Sequence, residues 1–295
     1  MSTRAEAAAQ LTPTLLRGWP LPGGGAGKDD RGSVLVVGGA RKTPGAALLA
    51  GIAALRSGAG RLTLATAEST AVPLAVAFPE SGVVGLPETA RGSVKGSSAS
   101  LLADEVEAAD AVLIGPGLDD KDETLALLRG LLLPGRGRPK RGPAVVLDAY
   151  ALGCLPELVD ELKPWAGRLI LTPNITEGGI LLGRDVEDLK RDVPKIAEAY
   201  QAVVSCQGVI AEPGGDLWEI TTGHSGLGTS GSGDVLAGAI AGLRARGTTD
   251  AQAACWGSHL HAAAGDRLAS RLGGLGYLAR ELCDELPALM VELSS

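Results

Sequence analysis

Short apolar runs alternate with longer helical patterns along most of the chain. The apolar run 33–37 predicts a buried strand, the segment 44–57 a helix, and the run 61–65 a second strand. Pro44 opens that helix and Gly58 follows it, which is the usual position of both residues. A strand–helix–strand unit implies two parallel strands with a right-handed crossover, so the pattern predicts an α/β fold.

The same alternation continues through the rest of the sequence. It predicts strands at 83–86, 111–114, 144–147 and 168–171, and helices at 98–109, 122–132, 233–246, 250–271 and 275–286. Three short runs at 202–205, 208–212 and 217–220 predict antiparallel strands, with Gly214-Gly215 as a hairpin signal. The basic, Gly- and Pro-rich stretch 134–143 predicts a surface loop. We therefore expect one α/β domain over residues 31–295 after an irregular N-terminal leader, residues 1–30.

Composition narrows the function classes. The net charge of -7 argues against non-specific binding to nucleic acid or to an anionic membrane surface. No apolar run reaches the ~20 residues of a membrane span, and no secretory signal is recognisable. The four cysteines are scattered, which favours reduced thiols over a disulfide framework. We expect a cytoplasmic protein without a nucleic-acid or membrane partner.

Special residues follow several predicted strands. Gly38-Gly39, Gly115-Pro116-Gly117, Asp148 and Asn174 each stand where a strand ends. Ligands of open parallel sheets bind at the carboxyl ends of the strands. Glycine and aspartate are also common strand terminators, so each residue alone favours a structural role. Their joint placement makes the functional and structural interpretations about equally strong.

The strongest local signal is a glycine-rich loop that runs into an apolar helix. In Gly231-Ser232-Gly233-Asp234, successive N–H groups at a helix N-terminus can form an anion site. Asp234 is either a helix cap or a general base beside a phosphate. The segment is not a Walker loop, because no Gly-Lys-Ser/Thr follows. Leu236 breaks a dinucleotide fingerprint, and Ser232 stands where a hydrolase elbow needs glycine.

A second segment, 171–177, carries Asn174 and Glu177 three residues apart at the start of a helix. Their oxygens could lie near one cation or its water shell. The same spacing is typical of a capping box, and on spacing alone we favour the cap. His259 and His261 are two apart and do not share a helix face, which argues against a shared metal. His224 could contact a nucleotide, although a loop histidine is more often structural.

Taken together, these segments resemble the ribokinase-like superfamily, with Gly231-Ser232-Gly233-Asp234 and the N-x-x-E of Asn174 and Glu177 as its marks. Within it, the chain is most similar to the ATP/ADP-dependent NAD(P)H-hydrate dehydratases. The resembling runs extend over about residues 32–270 and read GSVLVVGGARKTPGAALLAGIAALRSGAGRLTLAT, VLIGPGL, VLDAYAL, LTPNITE and GLGTSGSGDVLAGAIAGL. The resemblance implies a three-layer α/β/α fold with a mostly parallel central sheet. The short step from 37 to 44 leaves no room for a lid insertion.

The resemblance also implies an activity, the nucleotide-dependent dehydration of hydrated NADH or NADPH. ATP or ADP would phosphorylate the ring hydroxyl, and elimination of phosphate would restore the cofactor. Asp234 would remove the hydroxyl proton, and the N–H groups of Gly231, Ser232 and Gly233 would stabilise the phosphoryl charge. Mg²⁺ would bind near Glu177, partly through water.

The remaining site residues are also carried over from the family. The hydrated cofactor would contact Ala46, Gly117, Asn174 and Asp234. The adenine nucleotide would contact Val204, Ser205, Cys206, Gln207, Gly208 and Gly233. The family resemblance and the lidless site lead us to expect a homo-oligomer, with a tetramer as the specific hypothesis.

Three departures from the family pattern keep alternatives open. Tyr150 replaces the second acid of a D-A-D-A-L motif, residues 204–208 carry no lysine, and Asp119 stands where glycine is common. The first alternative is a small-molecule kinase of the same superfamily, of the hydroxymethylpyrimidine or thiazole kinase type. The second is a divergent nucleotide-binding protein with weak activity.

Overall fold

The computed structural model describes residues 8–132 and 142–294, and a central sheet dominates them. Its strands are β1 Ala9–Gln10, β2 Ser33–Val37, β3 Arg61–Ala67, β4 Gly82–Leu86, β5 Ala111–Ile114, β6 Ala144–Leu147, β7 Leu169–Leu171, β8 Val203–Cys206, β9 Val209–Ala211 and β10 Leu217–Glu219. The α-helices are α1 Pro13–Arg17, α2 Pro44–Arg56, α3 Glu68–Ala77, α4 Ala103–Ala108, α5 Lys121–Leu132, α6 Val159–Leu162, α7 Ile175–Leu182, α8 Leu189–Tyr200, α9 Ser232–Ala245, α10 Asp250–Leu272 and α11 Ala279–Ser294. Short 3-10 turns connect several of them. The loop predicted at 134–143 lies almost wholly outside the described residues.

The strands form one sheet in the order β1-β10-β9-β8-β7-β6-β5-β2-β3-β4. Every neighbouring pair is parallel except those that involve β9, which runs antiparallel to both β8 and β10. The predicted parallel sheet with an antiparallel edge is therefore confirmed. Since β2, β5, β6 and β7 run the same way, their carboxyl ends meet at one edge of the sheet.

Helices cover both faces of the sheet, because alternate residues of each strand point to opposite sides. Val34 and Val36 of β2 pack in the layer of α2, α9, α10 and α11. Leu35 and Val37 pack in the opposite layer, which includes α5 and α8. This is the expected three-layer α/β/α arrangement. Residues 38–43, all of them described, contain no strand, which agrees with the predicted absence of a lid at that point.

Small residues bring α2 and α9 into close contact. A Cβ added at Gly238 of α9 would lie 2.7 Å from the Cα of Ala50, and one at Gly242 would lie 2.8 Å from the Cα of Ala54. Real Cβ atoms do not approach other atoms this closely, so both positions require glycine at the present helix spacing. The spacing fixes α2, whose N-terminal end reaches the carboxyl edge of the sheet.

The structure corrects several predicted elements. The helix expected at 275–286 begins at Ala279, after Gly273 and Gly276 with φ of +112° and +99°, and it continues through Pro287. The helix expected at 98–109 is a 3-10 turn that becomes α-helical only in α4. Helices α3 and α8 were not predicted, and both contain an internal proline. Proline usually interrupts a helix, so the sequence pattern did not predict these two helices.

The N-terminal segment is more ordered than the predicted irregular leader. β1 pairs in parallel with β10, and Thr12 caps α1 by accepting from the Leu15 N–H at 3.2 Å. Leu16 is fully buried, and the backbone carbonyl of Trp19 accepts from the Trp256 indole at 2.9 Å. This segment thus contributes to the core that supports α10.

The thiols and the helices bear on two of the expectations from composition, those about disulfides and membrane spans. All four cysteines are buried free thiols, at Cys154, Cys206, Cys255 and Cys283. Among the described helices, none combines the length and apolar character that crossing a bilayer requires.

Candidate active site

Two glycine-rich strand ends meet at the carboxyl edge of the sheet. The N–H of Gly39, after β2, donates to the Pro116 carbonyl at 2.8 Å, and the Thr43 hydroxyl donates to the Gly117 carbonyl at 2.7 Å. Gly117 has φ of +71°, and an added Cβ there would lie 3.0 Å from the Cβ of Ala46. Ala46 and Gly117, both expected at the substrate, therefore lie side by side and half-buried.

The start of α9 forms an open turn. Gly231 is its N-cap, with φ of +89°, and no side chain caps the helix. Helix geometry leaves the first N–H groups without intrahelical acceptors. The Ser232 N–H donates to the Thr229 carbonyl at 3.2 Å, so the turn already engages one of the three predicted donors. Gly233 is exposed, and an added Cβ there would meet no atom within 4 Å.

Asp234 lies in the first turn of α9, beside this open turn. Burial raises the pKa of its carboxyl group to about 6. A carboxylate with a pKa of this size is ionised at neutral pH and is more basic than an ordinary aspartate. The position and the pKa both suit a general base.

Asp148, at the end of β6, is a functional candidate to which the sequence assigned no role. Its side chain is buried, and it accepts a hydrogen bond from the Thr172 hydroxyl at 2.7 Å. Burial raises the pKa of Asp148 to about 8, the hydrogen bond from Thr172 opposes the rise, and the negative charges of Asp234 and Glu177 add to it. Three carboxyl groups from β6, α7 and α9 therefore interact at one end of the sheet. The sequence signals for Asp148 were its position after a strand and its place in the resembling run VLDAYAL.

Asn174 and Glu177 form the capping box that the spacing favours. The Asn174 side chain accepts from the Glu177 N–H, and the Glu177 carboxylate accepts from the Asn174 N–H, both at 2.9 Å. Burial raises the pKa of Glu177. The box engages one carboxylate oxygen, Oε2, and fixes both side chains at the start of α7. Glu177 therefore has a defined orientation near Asp148.

The donor set fits a magnesium ion that is held only partly by protein. No group of three or more His, Cys, Asp or Glu side chains within residues 8–132 and 142–294 is arranged to hold a metal. Mg²⁺ usually keeps several waters and binds through one or two carboxylates plus substrate phosphates. Glu177 and Asp148 could supply the carboxylates, and their mutual repulsion would fall near a cation.

The stretch expected at the nucleotide is mostly internal. Val204, Ser205 and Cys206 are buried in β8. Gln207 and Gly208 form the two-residue turn to β9, with φ of +48° and +81°. Within this stretch only the turn reaches the surface, and the side chains of Val204, Ser205 and Cys206 are internal.

A lysine does approach this turn from another element. Lys190, at the start of α8, lines a cavity of about 410 Å³ together with Gln207 and Gly208. Its ammonium group pairs with Glu219 at 2.8 Å, and its side chain is half exposed. The sequence showed no lysine at 204–208, and only the fold brings this one near.

Other residues that the sequence singled out have structural or peripheral positions. The Nδ1 of His224 accepts from the Gly226 N–H at 3.1 Å, which is a cap of the local turn. Tyr150 is 40% exposed and lines, with Asp119, a polar cavity of about 370 Å³. His261 is buried and hydrogen-bonds Ser232 at 2.8 Å.

The sheet order, its two helical layers and the turn at α9 define the class of protein. A solved ribokinase-like superfamily protein from Enterococcus faecalis matches 100% of this chain and 99% of its own, with a TM-score of 0.80 and 24% identity. The chain therefore has the ribokinase-like fold.

The family follows from closer comparisons. The family model described as NAD(P)H-hydrate dehydratase matches residues 34–288. An ADP-dependent (S)-NAD(P)H-hydrate dehydratase from Xanthomonas campestris is 43% identical over 96% of both chains. The ADP/ATP-dependent NAD(P)H-hydrate dehydratase of Bacillus subtilis, co-crystallised with ATP and Mg²⁺, is 27% identical, with a TM-score of 0.77 over 98% of this chain and 100% of its own. The chain belongs to the NAD(P)H-hydrate dehydratase family.

Proposed function

We propose that this protein dehydrates hydrated NADH and NADPH at the expense of ATP or ADP, and so repairs damaged nicotinamide cofactors. The observation that carries the proposal is Asp234, a carboxylate of raised pKa in the first turn of α9, beside the uncapped turn at Gly231. Membership of the dehydratase family supports the same activity.

The first chemical step is phosphoryl transfer to the ring hydroxyl of the hydrate. Asp234 takes the hydroxyl proton as the oxygen attacks the terminal phosphorus, so an O–P bond forms and the bond to the nucleotide leaving group breaks. The N–H groups of the Gly231–Gly233 turn, with the helix dipole of α9, stabilise the charge on the phosphoryl oxygens. ATP leaves as ADP, and ADP leaves as AMP.

The second step is elimination. Hydroxide is a poor leaving group, whereas phosphate is a good one. The ring C–O bond breaks, its electron pair leaves with phosphate, and the neighbouring ring carbon loses a proton, which restores the dihydropyridine. Ala46, Gly117 and Asn174 are the residues we propose around the nicotinamide, because Ala46 and Gly117 adjoin at the sheet edge and Asn174 is held by its capping box.

Glu177 and Asp148 are the residues we propose to hold Mg²⁺, directly or through water. A bound Mg²⁺ supplies positive charge that neutralises the phosphates. The capping box keeps Glu177 oriented for this role. On the nucleotide side we propose Gln207, Gly208 and Gly233, all of which are exposed or partly exposed.

A product assay tests the proposal. Purified protein with Mg²⁺ and hydrated NADH or NADPH receives ATP or ADP in parallel, and reduced nicotinamide and inorganic phosphate are measured together. The proposal expects both products in equal amounts. A stable phosphorylated alcohol would instead identify a kinase, and an unchanged hydrate would identify a nucleotide-binding protein without this activity.

We further propose that the protein is cytoplasmic and a homo-oligomer such as a tetramer. We also propose that residues 31–295 form one domain, to which the N-terminal segment with β1 and α1 adds a strand and part of the core. The four buried thiols support a reducing compartment. Val72 and Val76, on one face of α3, are more than 70% exposed and support contact with another copy. The continuous sheet supports a single domain.

A further inference from the structure

The first turn of α9 lacks the side-chain cap that usually stabilises a helix N-terminus. Helices commonly begin with Ser, Thr, Asp or Asn at the N-cap, whose side chain binds N–H groups of the first turn. Here the N-cap is Gly231, which has no side chain to do so. The absent cap leaves N–H groups for a ligand, but it also removes the bond that normally holds the turn in place.

A side chain from a different helix forms a hydrogen bond with the residue that follows the N-cap. The Ser232 side chain, on the residue after Gly231, lies 2.8 Å from the Nε2 of His261, which belongs to α10. Ser232 is 4% exposed and His261 is 9% exposed, so water does not compete for the bond. Burial lowers the pKa of His261 to about 4, and the imidazole is therefore neutral at physiological pH.

The same helix also holds the strand next to the proposed nucleotide turn. Ser258 lies three residues before His261, and residues three apart share a helix face. Its hydroxyl is 2.8 Å from the hydroxyl of Ser205 in β8, and both are buried. Through two buried hydrogen bonds, α10 therefore connects β8, which leads into the Gln207–Gly208 turn, with the start of α9.

We propose that His261 is a positioning residue, which holds Ser232 and thereby aims the uncapped turn of α9 at the phosphoryl group. The inference rests on the proposed function, because it concerns the same anion site. His261 does not touch the reacting atoms. It replaces the missing cap from outside the helix. Ser258, through its bond to Ser205, fixes the position of α10 relative to β8 and the proposed nucleotide turn.

The chain provides a matched control in His259. This histidine lies on the same helix and is 4% exposed, and within the part of the chain that the structure describes its Nδ1 has no hydrogen-bond partner. Its removal costs buried volume, as removal of His261 does, but it leaves the bond to Ser232 intact. A purely structural histidine at 261 would behave like His259.

The test compares His261→Ala, His261→Gln and His259→Ala for thermal stability, kcat, KM and ATP affinity by calorimetry. We expect His261→Ala to lower kcat at least about tenfold, since small misplacements at a reacting centre are costly, with KM for the hydrate little changed. ATP affinity should fall several-fold. His261→Gln, whose amide can still bond Ser232, should restore much of both, and His259→Ala should retain both.

A double-mutant cycle completes the test. In a Ser232→Ala background, His261→Ala should cause little additional loss, because the bond is already absent. The inference is overturned if His261→Ala matches His259→Ala in kcat and ATP affinity. It is also overturned if the losses caused by Ser232→Ala and His261→Ala are additive. The affinity measurement needs no hydrated cofactor, so it judges His261 even if the wild-type protein fails to repair NADH hydrate.

Discussion

Replacing Gly238 with alanine should separate α2 from α9. The added Cβ would overlap the carbonyl oxygen of Ala50 and would lie 2.7 Å from its Cα and its carbonyl carbon, whereas ordinary contact begins at 3.4 Å. The two backbones must move apart by at least roughly 0.7 Å, and overpacking of this kind costs about 1–3 kcal/mol. The better helix propensity of alanine offsets about 1 kcal/mol of this cost. We expect a net loss of unfolding free energy of up to about 2 kcal/mol, measured by urea denaturation.

Gly45→Ala is the matched control. Gly45 lies in α2, the helix against which Gly238 of α9 packs, but an added Cβ at Gly45 meets no atom within 4 Å, so stability should stay the same or rise. A displaced α2 would shift Ala46, which we propose at the substrate, and Gly238→Ala should therefore also lower kcat. If Gly238→Ala were as stable as Gly45→Ala, the close packing of α2 on α9 would not be what fixes this glycine.

Three further changes test the carboxylates. Asp234→Asn should lower kcat at least about 100-fold while ATP still binds in calorimetry, because only the base is lost; full activity would exclude Asp234 as the base. In the wild type, kcat/KM should rise with pH until Asp234 ionises near its pKa of about 6, and this rise should vanish in the variant. The pKa of Asp148 is raised from 3.8 to about 8, so its protonated form stabilises the fold at low pH and that contribution is lost as pH rises through about 8. Asp148→Asn should remove this slope from urea denaturation curves. Asp192 is fully buried, and hydrogen bonds from Arg184 are the largest cause that holds its pKa well below the usual range. Asp192→Asn should cost about 3 kcal/mol at neutral pH and less in acid, where the wild type protonates; equal stability at neutral pH would contradict this.

The sheet was predictable because its strands are buried on both faces. Such strands appear as continuous apolar runs, as in β2 and β5, and each ends in glycine where the backbone turns. The N-x-x-E spacing likewise predicted the capping box of Asn174 and Glu177, since all of its bonds are local. Local signals were less reliable at α3 and α8, where packing overrides the effect of Pro73 and Pro194.

The rest of the site depends on contacts between residues far apart in sequence. Ser232 and His261 are 29 residues apart, and no spacing rule pairs them. The sequence marks Asp148 only as a strand-end residue, and its interaction with Asp234 is set by the fold. Lys190 reaches the Gln207 cavity from the preceding helix. Each of these relations is set by tertiary packing rather than by local sequence.

An isotope experiment tests the central claim, that the ring hydroxyl is phosphorylated before it leaves. Hydrated NADH carrying ¹⁸O in the ring hydroxyl is turned over with ATP and Mg²⁺, and the released phosphate is analysed by mass spectrometry. Because the hydroxyl oxygen bonds to phosphorus before the C–O bond breaks, the label should appear in inorganic phosphate. Label found in water, with unlabelled phosphate, would contradict the mechanism proposed for Asp234 and the α9 turn.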